Sequence, residues 1–218
     1  MAKETKTPKA AKPKPAKPKV KKSKAPKPAA VETAQLLSSV VTFECSLFKV
    51  RHDKLIEPGG KHSERDVIRH NGSVVILALD TSKSKKNPWV VIERQYRHAA
   101  NQYLWELPAG KLEPGEPPLD TARRELAEEA GVSARDWHSL EYVWSSPGVF
   151  AERLYLFLAT GLAAVSAAHE RSEVIEIHWI PLQQACQWAL DGTIADCKTA
   201  IGLLRARRFR AARHAAGE

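Results

Sequence analysis

Three glutamates lie close together near the end of a predicted helix. They are Glu125, Glu128 and Glu129, in a segment that reads GKLEPGEPPLDTARRELAEEAGV from residue 110 to residue 132. Their i, i+3 and i+4 spacing brings the carboxylates onto one helix face, where like charges repel. The negative end of the helix dipole disfavours them further, by roughly 0.3–1 kcal/mol each. A hard divalent cation would offset this cost, and magnesium fits best, with a solvated acidic face as the alternative.

The residues around the glutamates predict a helix from Pro118 to Ala130. Proline suits the first helical position, where its missing N–H costs nothing, and Gly131 suits the C-terminal end. Apolar residues recur along one stripe of this helix, at Leu119, Ala122, Leu126 and Ala130. At about 100° per residue, Glu125 and Glu129 fall on the border of that stripe, so a second layer of protein should partly bury them.

The spacing of the whole segment resembles the Nudix box at every defined position. The matching pattern is Gly110, five residues, Glu116, seven residues, and then Arg124-Glu125-Leu126-x-Glu128-Glu129-x-Gly131-Val132. From average residue frequencies, a chance match is on the order of 10⁻¹⁰ per starting position. The resemblance implies a divalent-cation-dependent hydrolase that cleaves the pyrophosphate of a nucleoside diphosphate linked to another group. Gly110 would let the loop turn close to the metals, although an ordinary turn glycine fits equally well.

The resemblance to the Nudix box also implies roles for the matching residues. Glu125 and Glu129 would be direct metal ligands, Glu128 would lie close by, and the Ala109 carbonyl would complete the shell. Arg124 would orient a carboxylate by ion pairing and would belong, with Glu128, to the catalytic residues. The implied cofactor is magnesium, or alternatively manganese, which neutralises the diphosphate and supplies or orients the attacking water.

Outside the box, the chain from Phe43 to Arg207 resembles the ADP-ribose pyrophosphatase subgroup. The segment ERQYRHAANQYLWELPAG resembles the subgroup's approach to the box and implies that Arg97 and Glu106 contact substrate phosphate, metal or adenosine. Arg97 as an ordinary surface residue is the alternative. Three nearby aromatic residues are predicted to fill the core or an interface instead of stacking on adenine: Trp89, Tyr96 and Trp105.

Three segments after the box carry the same resemblance. Pro147 lies fifteen residues beyond Val132, as is typical of ADP-sugar hydrolases. The segment SSPGVFAERLYLFLA resembles the subgroup's next strand pair and implies substrate contacts at Ser146 and Glu152, although Glu152 could instead be an ion-pair partner. The segment DCKTAIGLL resembles the start of the subgroup's C-terminal helix.

The general base is expected on the loop AAHERSEVIEI, before the last strand. Members of this subgroup use a carboxylate on a mobile loop here, and aligning EVIEIHWIPL places Glu173 at the base position. Glu170 is its rival. The loop also departs from the subgroup at Arg171 and Ser172, where relatives often carry acidic residues. His169 is a third candidate, since histidine titrates near neutrality. A base must reach its water, so geometry decides among them before pKa does.

The elements that hold these residues predict an α+β fold. Strands and helices mix without strict alternation, which argues against a repeated βαβ wind. Beyond the short β-branched runs of residues 39–97, further elements are predicted in this order: strands at Tyr142–Trp144, Arg153–Thr160 and VIEIHWI, and helices from Pro181 to Leu190 and from Ala195 to Arg210. The resemblance makes the fold a Nudix α/β/α sandwich with a mixed central sheet and a small N-terminal sheet around Ser39–Val50.

Residues 1–34 differ in composition from the remainder and predict a disordered tail. Residues 1–33 hold eleven Lys and two Glu, which account for the whole net charge of +9. The tail is expected to be solvated, with weak contact to polyanions as the alternative. Residues 35–218 form the predicted Nudix domain, in which residues 35–60 supply strands that contribute to a homodimer in relatives.

The rest of the composition favours a soluble cytoplasmic protein with no membrane partner. No stretch approaches the roughly 20 apolar residues of a membrane-spanning helix, and no apolar signal region follows the first lysines. Cys45, Cys186 and Cys197 lack CxxC spacing, which predicts reduced thiols instead of disulfides or a zinc site.

The activity predicted from all these features is hydrolysis of ADP-ribose, or of a related nucleoside diphosphosugar, to AMP and a sugar phosphate. A Nudix hydrolase of another nucleoside diphosphate derivative is the first alternative. Pro147 and the neighbouring SPG and ER residues argue against dinucleoside polyphosphates and oxidised nucleoside triphosphates as substrates. A non-catalytic nucleic-acid-binding Nudix protein is the second alternative, and the intact box argues against it.

Overall fold

The computed structural model describes residues 32–166 and 175–215. Within them the strands are β1 Gln35–Glu44, β2 Lys49–Ile56, β3 His62–Arg69, β4 Ser73–Asp80, β5 Trp89–Arg97, β6 Gln102–Glu106, β7 Ala109–Lys111, β8 Val132–Ser146, β9 Phe150–Ala164 and β10 Ile175–Pro181. The helices are α1 Pro118–Ala130, α2 Leu182–Asp191 and α3 Cys197–Ala215. Residues 1–31 lie outside the described range, so the predicted tail stays a prediction.

A mixed sheet forms the centre of the described chain. Its strand order is β1-β2-β3-β9-β4-β5-β10, with β6 paired to β5, β7 to β4 and β8 to β9. The central strand β4 runs parallel to β9 and antiparallel to β5. Residues 74–79 of β4 read VVILAL and are all buried, which is typical of a strand covered on both faces. The predicted mixed sheet is confirmed.

Helices cover both faces of this sheet. On one face Val75 of β4 belongs to a core that includes Leu203 of α3 and residues of α2. On the other face Ile76 packs in a core with Leu126 of α1. Neighbouring residues of a strand point to opposite faces, so β4 divides its side chains between the two cores. The predicted α/β/α sandwich is therefore confirmed.

Helix α1 begins and ends where the sequence predicts. Pro118 is its first residue, and Gly131 closes it in the left-handed conformation at φ 63°. The N–H of Gly131 bonds to carbonyls of the last turn, which satisfies groups that the helix itself leaves without partners. Ala122 and Leu126 of the apolar stripe are fully buried. The stripe therefore fixes which face of α1 is turned toward the sheet.

Several other elements differ at their ends from the sequence prediction. Strands β8 and β9 are fifteen residues long and pair along most of their length, beyond the predicted Tyr142–Trp144 and Arg153–Thr160. Helix α2 begins one residue after Pro181, and α3 continues from the predicted end at Arg210 to Ala215. Strand length depends on hydrogen bonds to a partner that is distant in sequence, which local patterns do not reveal.

The N-terminal strands extend the main sheet. Strands β1, β2 and β3 form an antiparallel series, and β3 joins β9 through the parallel pairs Ile68–Phe150 and Arg69–Ala151. Strand β1 lies at the end of the strand order. Its large apolar side chains are exposed, namely Leu36, Leu37, Val40, Val41 and Phe43. A long apolar edge of this kind is usually covered by another surface.

Candidate active site

A cavity of about 570 Å³ lies between β7, α1, the β8–β9 turn and the start of α3. Its volume falls in the range of roughly 300–1,000 Å³ that small-molecule sites occupy. Most of the predicted site residues line its wall: Arg97, Ala109, Arg124, Glu125, Glu128, Glu129 and Glu152. Glu106 and Ser146, which were also predicted, are not part of the wall.

Gly110 has no side chain because Glu125 passes directly over it. A Cβ added at this position would overlap the carboxyl group of Glu125. Gly110 lies in β7, paired with Val74, and it does not have a positive φ. Close approach, and not a turn, is therefore the reason for glycine, which decides between the two explanations that the sequence left open.

Glu129 and Ala109 are joined on the same wall of the cavity. Only 9% of Glu129 is exposed, and its Oε2 accepts a hydrogen bond of 3.0 Å from the N–H of Ala109. In the ladder between β4 and β7, the N–H of Ile76 donates to the carbonyl of Pro108. Bonded pairs alternate in an antiparallel ladder, so the backbone groups of Ala109 point away from β4. The Ala109 carbonyl is thus directed toward the side of Glu129.

Arg124 is the counter-charge for the glutamates of α1. Its Nη1 lies 2.8 Å from Glu125 Oε1 and 3.1 Å from Glu128 Oε2, and its Nη2 lies 3.2 Å from Glu116 Oε2. Hydrogen bonding to Glu116, followed by the charges of the other carboxylates, raises the pKa of Arg124 above its usual value. The same contact lowers the pKa of Glu116. Arg124 therefore stays charged and fixes the orientation of three carboxylates.

The donors around Ala109 fit a hard divalent cation in their chemistry. Glu125, Glu128, Glu129 and the Ala109 carbonyl offer only oxygen, which magnesium and manganese prefer. The position of Glu125 directly over Gly110 shows that α1 packs closely against β7 at this point. As placed, no three Asp, Glu, His or Cys side chains of the described chain converge enough to hold an ion. The carboxylates are instead engaged by Arg124 and Ala109.

Arg97 and Glu106 bind each other instead of standing side by side in the cavity. The carboxylate of Glu106 is 2% exposed and accepts bonds from Nε and Nη2 of Arg97 at 2.8 and 2.9 Å. Lys198 contacts the same carboxylate. Burial opposes ionisation, but the bonds from Arg97 and the charge of Lys198 outweigh it, and the pKa of Glu106 falls below its usual value. Glu106 therefore acts behind the wall, and Arg97 faces the cavity.

The start of α3 holds this network in place, and the sequence prediction did not single out its residues. Lys198 lines the cavity and lies 3.1 Å from Asp196. Asp196 Oδ2 accepts a bond of 2.9 Å from the N–H of Thr199, as a helix N-cap does. The hydroxyl of Thr199 in turn accepts a bond of 2.8 Å from the N–H of Leu107. The segment DCKT contained a signal for this arrangement. An Asp directly before a helix often caps it by accepting a bond from the backbone N–H three residues later.

Glu152 lines another part of the cavity, where it contacts two residues that the sequence analysis did not indicate. Its Oε1 accepts a bond of 2.7 Å from Ser73 and lies 3.7 Å from Nδ1 of His70, whose side chain is 6% exposed. Ser145, and not the predicted Ser146, lines the cavity. The hydroxyl of Ser145 is buried and has no hydrogen-bond partner within the described part of the chain. Ser145 thus combines a position in the cavity lining with a buried hydroxyl that has no partner among the described residues.

The remaining candidates lie away from the cavity or outside the described residues. Trp105 packs against Trp188, Tyr96 against Tyr103, and Lys83 lies over the ring of Trp89. These three aromatic residues do not line the cavity, and their predicted role in the core or at an interface stays a prediction. The three candidate bases, Glu170, Glu173 and His169, all fall between residues 167 and 174, outside the described residues.

The chain is similar to known proteins in sequence and in fold. A family model described as the NUDIX domain matches residues 69–198. An ADP-ribose pyrophosphatase of Mycobacterium tuberculosis is 36% identical over 173 residues, which are 78% of this chain and 81% of that protein. A methanol dehydrogenase activator of Bacillus methanolicus is 33% identical over 175 residues, 79% of this chain and 89% of that protein.

A third relative and a solved structure extend the comparison. An ADP-ribose pyrophosphatase of Bacillus subtilis is 34% identical over 148 residues, 67% of this chain and 77% of that protein. A crystal structure of an ADP compounds hydrolase superposes with a TM-score of 0.72 at 20% identity. The superposition covers 85% of this chain and 98% of that chain, which establishes a common fold.

Proposed function

The chain belongs to the Nudix family and is a hydrolase of pyrophosphate bonds, and from this we propose that it cleaves ADP-ribose or a related nucleoside diphosphosugar. The products are AMP and a sugar phosphate, which is ribose 5-phosphate for ADP-ribose. The main support for the proposal is that one cavity is lined both by the candidate metal-binding glutamates and by the candidate substrate contacts. Glu125, Glu128 and Glu129 line one wall, and Arg97 and Glu152 line other parts of the same cavity.

Magnesium, or manganese in its place, is the proposed cofactor. Glu125, Glu129 and the Ala109 carbonyl would hold the ion, with Glu128 close by. When bound, the ion neutralises the diphosphate and orients the water that attacks phosphorus. Arg124 supports this assignment, because it bonds to Glu125 and Glu128 and fixes the orientation of their carboxylates. Its contacts hold Glu125 and Glu128 at the cavity, where an ion can reach them.

Arg97 is the proposed contact for the substrate diphosphate. A guanidinium carries five N–H donors, and Arg97 uses those on Nε and Nη2 for Glu106. The remaining donors are available to phosphate oxygens, and 41% of the side chain is exposed. The ion pair with Glu106 also limits the positions that Arg97 can take, which favours a fixed substrate geometry.

Glu152 and Ser145 are proposed to contact the sugar beyond the diphosphate. Ser73 donates to one oxygen of Glu152, and the second oxygen can accept a bond from a ribose hydroxyl. The hydroxyl of Ser145, which lacks a partner among the described residues, supports the same role. The predicted contact at Ser146 is kept as the alternative to Ser145, because both belong to the same strand end.

Glu173 is proposed as the general base on sequence grounds alone, with Glu170 and then His169 as its rivals. Glu173→Gln keeps the size of the side chain and removes the basic oxygen. We expect kcat to fall about 10²–10⁴-fold with little change in KM, and Glu170→Gln to cost far less. The reverse order would make Glu170 the base. If neither variant matters, a metal-bound hydroxide without a loop base becomes the mechanism.

A homodimer in which two subunits build each substrate site is also proposed. The exposed apolar residues of β1 support it, because a second copy would bury them. Leu47, in the turn after β1, lines the cavity, so the N-terminal strands reach the site.

Within the described residues, no helix is long and apolar enough to cross a membrane. Residence in the cytoplasm and the boundary at residue 34 remain predictions from the sequence.

The experiment that tests the proposed function is a substrate panel in which the products, such as AMP and the sugar phosphate, are separated and quantified by chromatography. ADP-ribose, other nucleoside diphosphosugars, dinucleoside polyphosphates and nucleoside triphosphates are compared at saturating magnesium. We expect at least a tenfold higher kcat/KM for ADP-ribose than for ATP, about 1.4 kcal/mol of transition-state binding. A preference for triphosphates would reject the ADP-sugar assignment and leave a Nudix hydrolase of another substrate.

A further inference from the structure

Six cations that do not line the catalytic cavity belong to two segments that are in contact, the loop after β4 and the second half of α3. We call this group the basic surface, and it consists of Lys83, Lys85, Lys86, Arg207, Arg208 and Arg210. The two segments touch, because Nη2 of Arg210 donates a bond of 2.6 Å to the carbonyl of Lys85. Neither residues 81–88 nor residues 197–215 contain an Asp or Glu.

The cations of the basic surface lack the salt bridges that several other described cations form. Lys83 does lie over the ring of Trp89, and, after the hydrogen bonds from Ser82, its charge helps to lower the pKa of Asp80. Within the described residues, none of the six forms a salt bridge with a carboxylate. Arg69, Arg124 and Lys198, in contrast, each pair with one or more carboxylates. Asp80, the acid next to the loop, accepts the N–H of Ser82 at 2.8 Å. Partial burial lowers the pKa of Arg210 from its usual value, and no carboxylate offsets the cost.

The basic surface also separates charge along the domain. Outside residues 1–33, the chain has as many Lys and Arg as Asp and Glu, so the six cations leave the other residues with a net negative charge. Helix α3 joins the two regions, since Lys198 lines the cavity and Arg210 belongs to the basic surface. At 1.5 Å per residue, these residues are about 18 Å apart along the helix. A polyanion is therefore attracted to one end of α3 and repelled by the glutamates near the other.

Helix stability alone does not explain this arrangement. Cations near the C-terminus of a helix gain roughly 0.3–1 kcal/mol from the helix dipole, but Arg210 lies five residues before Ala215, beyond the last turn. The effect fades within the last turn, and Arg207 and Arg208 lie seven or more residues before Ala215. The three lysines belong to a loop, where no helix dipole favours them.

The surroundings favour a nucleic acid over a membrane as the partner. An interfacial helix needs an exposed apolar face to enter a bilayer. In α3, Leu203 and Ala206 are buried and Phe209 packs against the core, which leaves Leu204 as the exposed large apolar residue of the helix among those described. Arginine side chains present planar donors that match phosphate oxygens two at a time. Arg207 and Arg208 are both exposed and can do so.

We propose that the basic surface binds the phosphodiester backbone of a nucleic acid, independently of base sequence and apart from the catalytic cavity. Binding should weaken steeply with salt, because each phosphate contact releases condensed counterions. The lysine-rich residues 1–33 can add to the affinity, but the basic surface provides the main site. The cavity stays open to small substrates, so binding and turnover do not compete.

The test measures affinity of the full chain for a labelled single-stranded RNA of about 20 nucleotides, by fluorescence anisotropy between about 50 and 200 mM salt. The surface variant combines Lys85→Gln, Lys86→Gln, Arg207→Gln and Arg208→Gln. The control variant changes Lys12, Lys14, Lys17 and Lys19 to Gln and so removes the same charge from the N-terminal segment. A DNA duplex of equal length and vesicles of phosphatidylserine and phosphatidylcholine serve as further probes.

We expect RNA affinity to be about tenfold or more weaker in the surface variant, and the salt slope to be smaller by about 0.7 for each phosphate that the variant no longer neutralises. The control variant should weaken much less, and both should keep the wild-type melting temperature and turnover. An equal loss in both variants, a loss in the control alone, or no RNA binding would overturn the proposal. So would vesicle binding that depends on these residues while RNA binding does not. Turnover is read separately, so failure of the proposed activity leaves this test intact.

Discussion

The two ends of α3 use charge in opposite ways. At the N-terminal end, Lys198 pairs with Glu106 and Asp196, and Asp196 also caps the helix. At the other end, Arg207 and Arg208 are exposed and have no carboxylate partner among the described residues. Charges that are enclosed and paired fix the positions of neighbouring groups, whereas exposed charges without partners interact with what arrives from solution. Residue type alone therefore does not distinguish the two ends. Ion pairing and burial distinguish Lys198, which helps to build the cavity, from the exposed arginines of the proposed binding surface.

The largest effect is expected from the glutamates of the cavity, where charge is needed for chemistry. Glu129→Gln keeps a hydrogen-bond acceptor for Ala109 but removes the negative charge. We expect kcat to fall about 10³-fold at saturating magnesium, as when a group that stabilises transition-state charge is removed. Stability should stay level or rise, because repulsion at the helix end is relieved. The matched control is Glu113→Gln, at an exposed position where the box pattern specifies no residue type, and near-native turnover in Glu129→Gln would falsify the ligand assignment.

A smaller but still large effect is expected where packing alone positions a charge. Gly110→Ala adds a methyl group that overlaps Glu125, so either the side chain or β7 has to move. A displacement of about 1 Å at an active site can cost about 10²-fold in turnover. The control is Gly148→Ala, since a Cβ there meets nothing within 4 Å. If Gly110→Ala retained full turnover, the close approach of β7 to Glu125 would not matter for function.

A moderate effect is expected at the paired end of α3. Lys198→Met leaves Glu106 with Arg97 as its partner and deprives Asp196 of a cation. We expect the free energy of unfolding to fall by about 1–3 kcal/mol, the cost of a buried group that loses one bond. We also expect roughly a tenfold decrease in kcat/KM, because Arg97 is held less firmly. Lys198→Arg should restore much of both, and Lys61→Met at an exposed turn should change neither.

The pH dependence of stability separates this positioning role from general packing. The folded-state pKa of Glu106 is lowered from 4.5, so its ion pairs contribute stability above that pH. That contribution disappears as pH falls through the folded-state pKa, because the unfolded chain then binds more protons. Urea unfolding from pH 6 downward should therefore show a smaller acid-induced decrease in stability in Lys198→Met than in the wild type. Parallel curves would show that Lys198 does not control the charge of Glu106.

The smallest effect is expected from removing the charge of the N-terminal segment. Deleting residues 2–33 removes the lysines that account for the net charge of +9. We expect kcat within about twofold of wild type and a melting temperature that hardly changes, measured by AMP formation and calorimetry, since solvated surface charge contributes little to stability. A large decrease in turnover would contradict this prediction, because it would mean that the N-terminal segment contributes to the active site.

Local spacing was enough to predict the catalytic helix and its glutamates. The limits of α1, its buried stripe and the border positions of Glu125 and Glu129 follow from the helical repeat, which acts over a few residues. The box pattern then identified the family, and the mixed sheet followed from the family. These predictions succeed because residues three or four apart on a helix are neighbours whatever the remaining chain does.

Only the tertiary structure decided which distant residues meet. Glu106 binds Lys198, 92 residues away, and Thr199 binds the backbone of Leu107. The net charge of zero outside residues 1–33 likewise gave no indication of the basic surface, which combines a loop and a helix that are far apart in sequence. Composition sums charge over the chain, and periodicity describes one element at a time. Neither contains the packing of β4, β6 and α3 that brings some charges together in pairs and leaves others exposed.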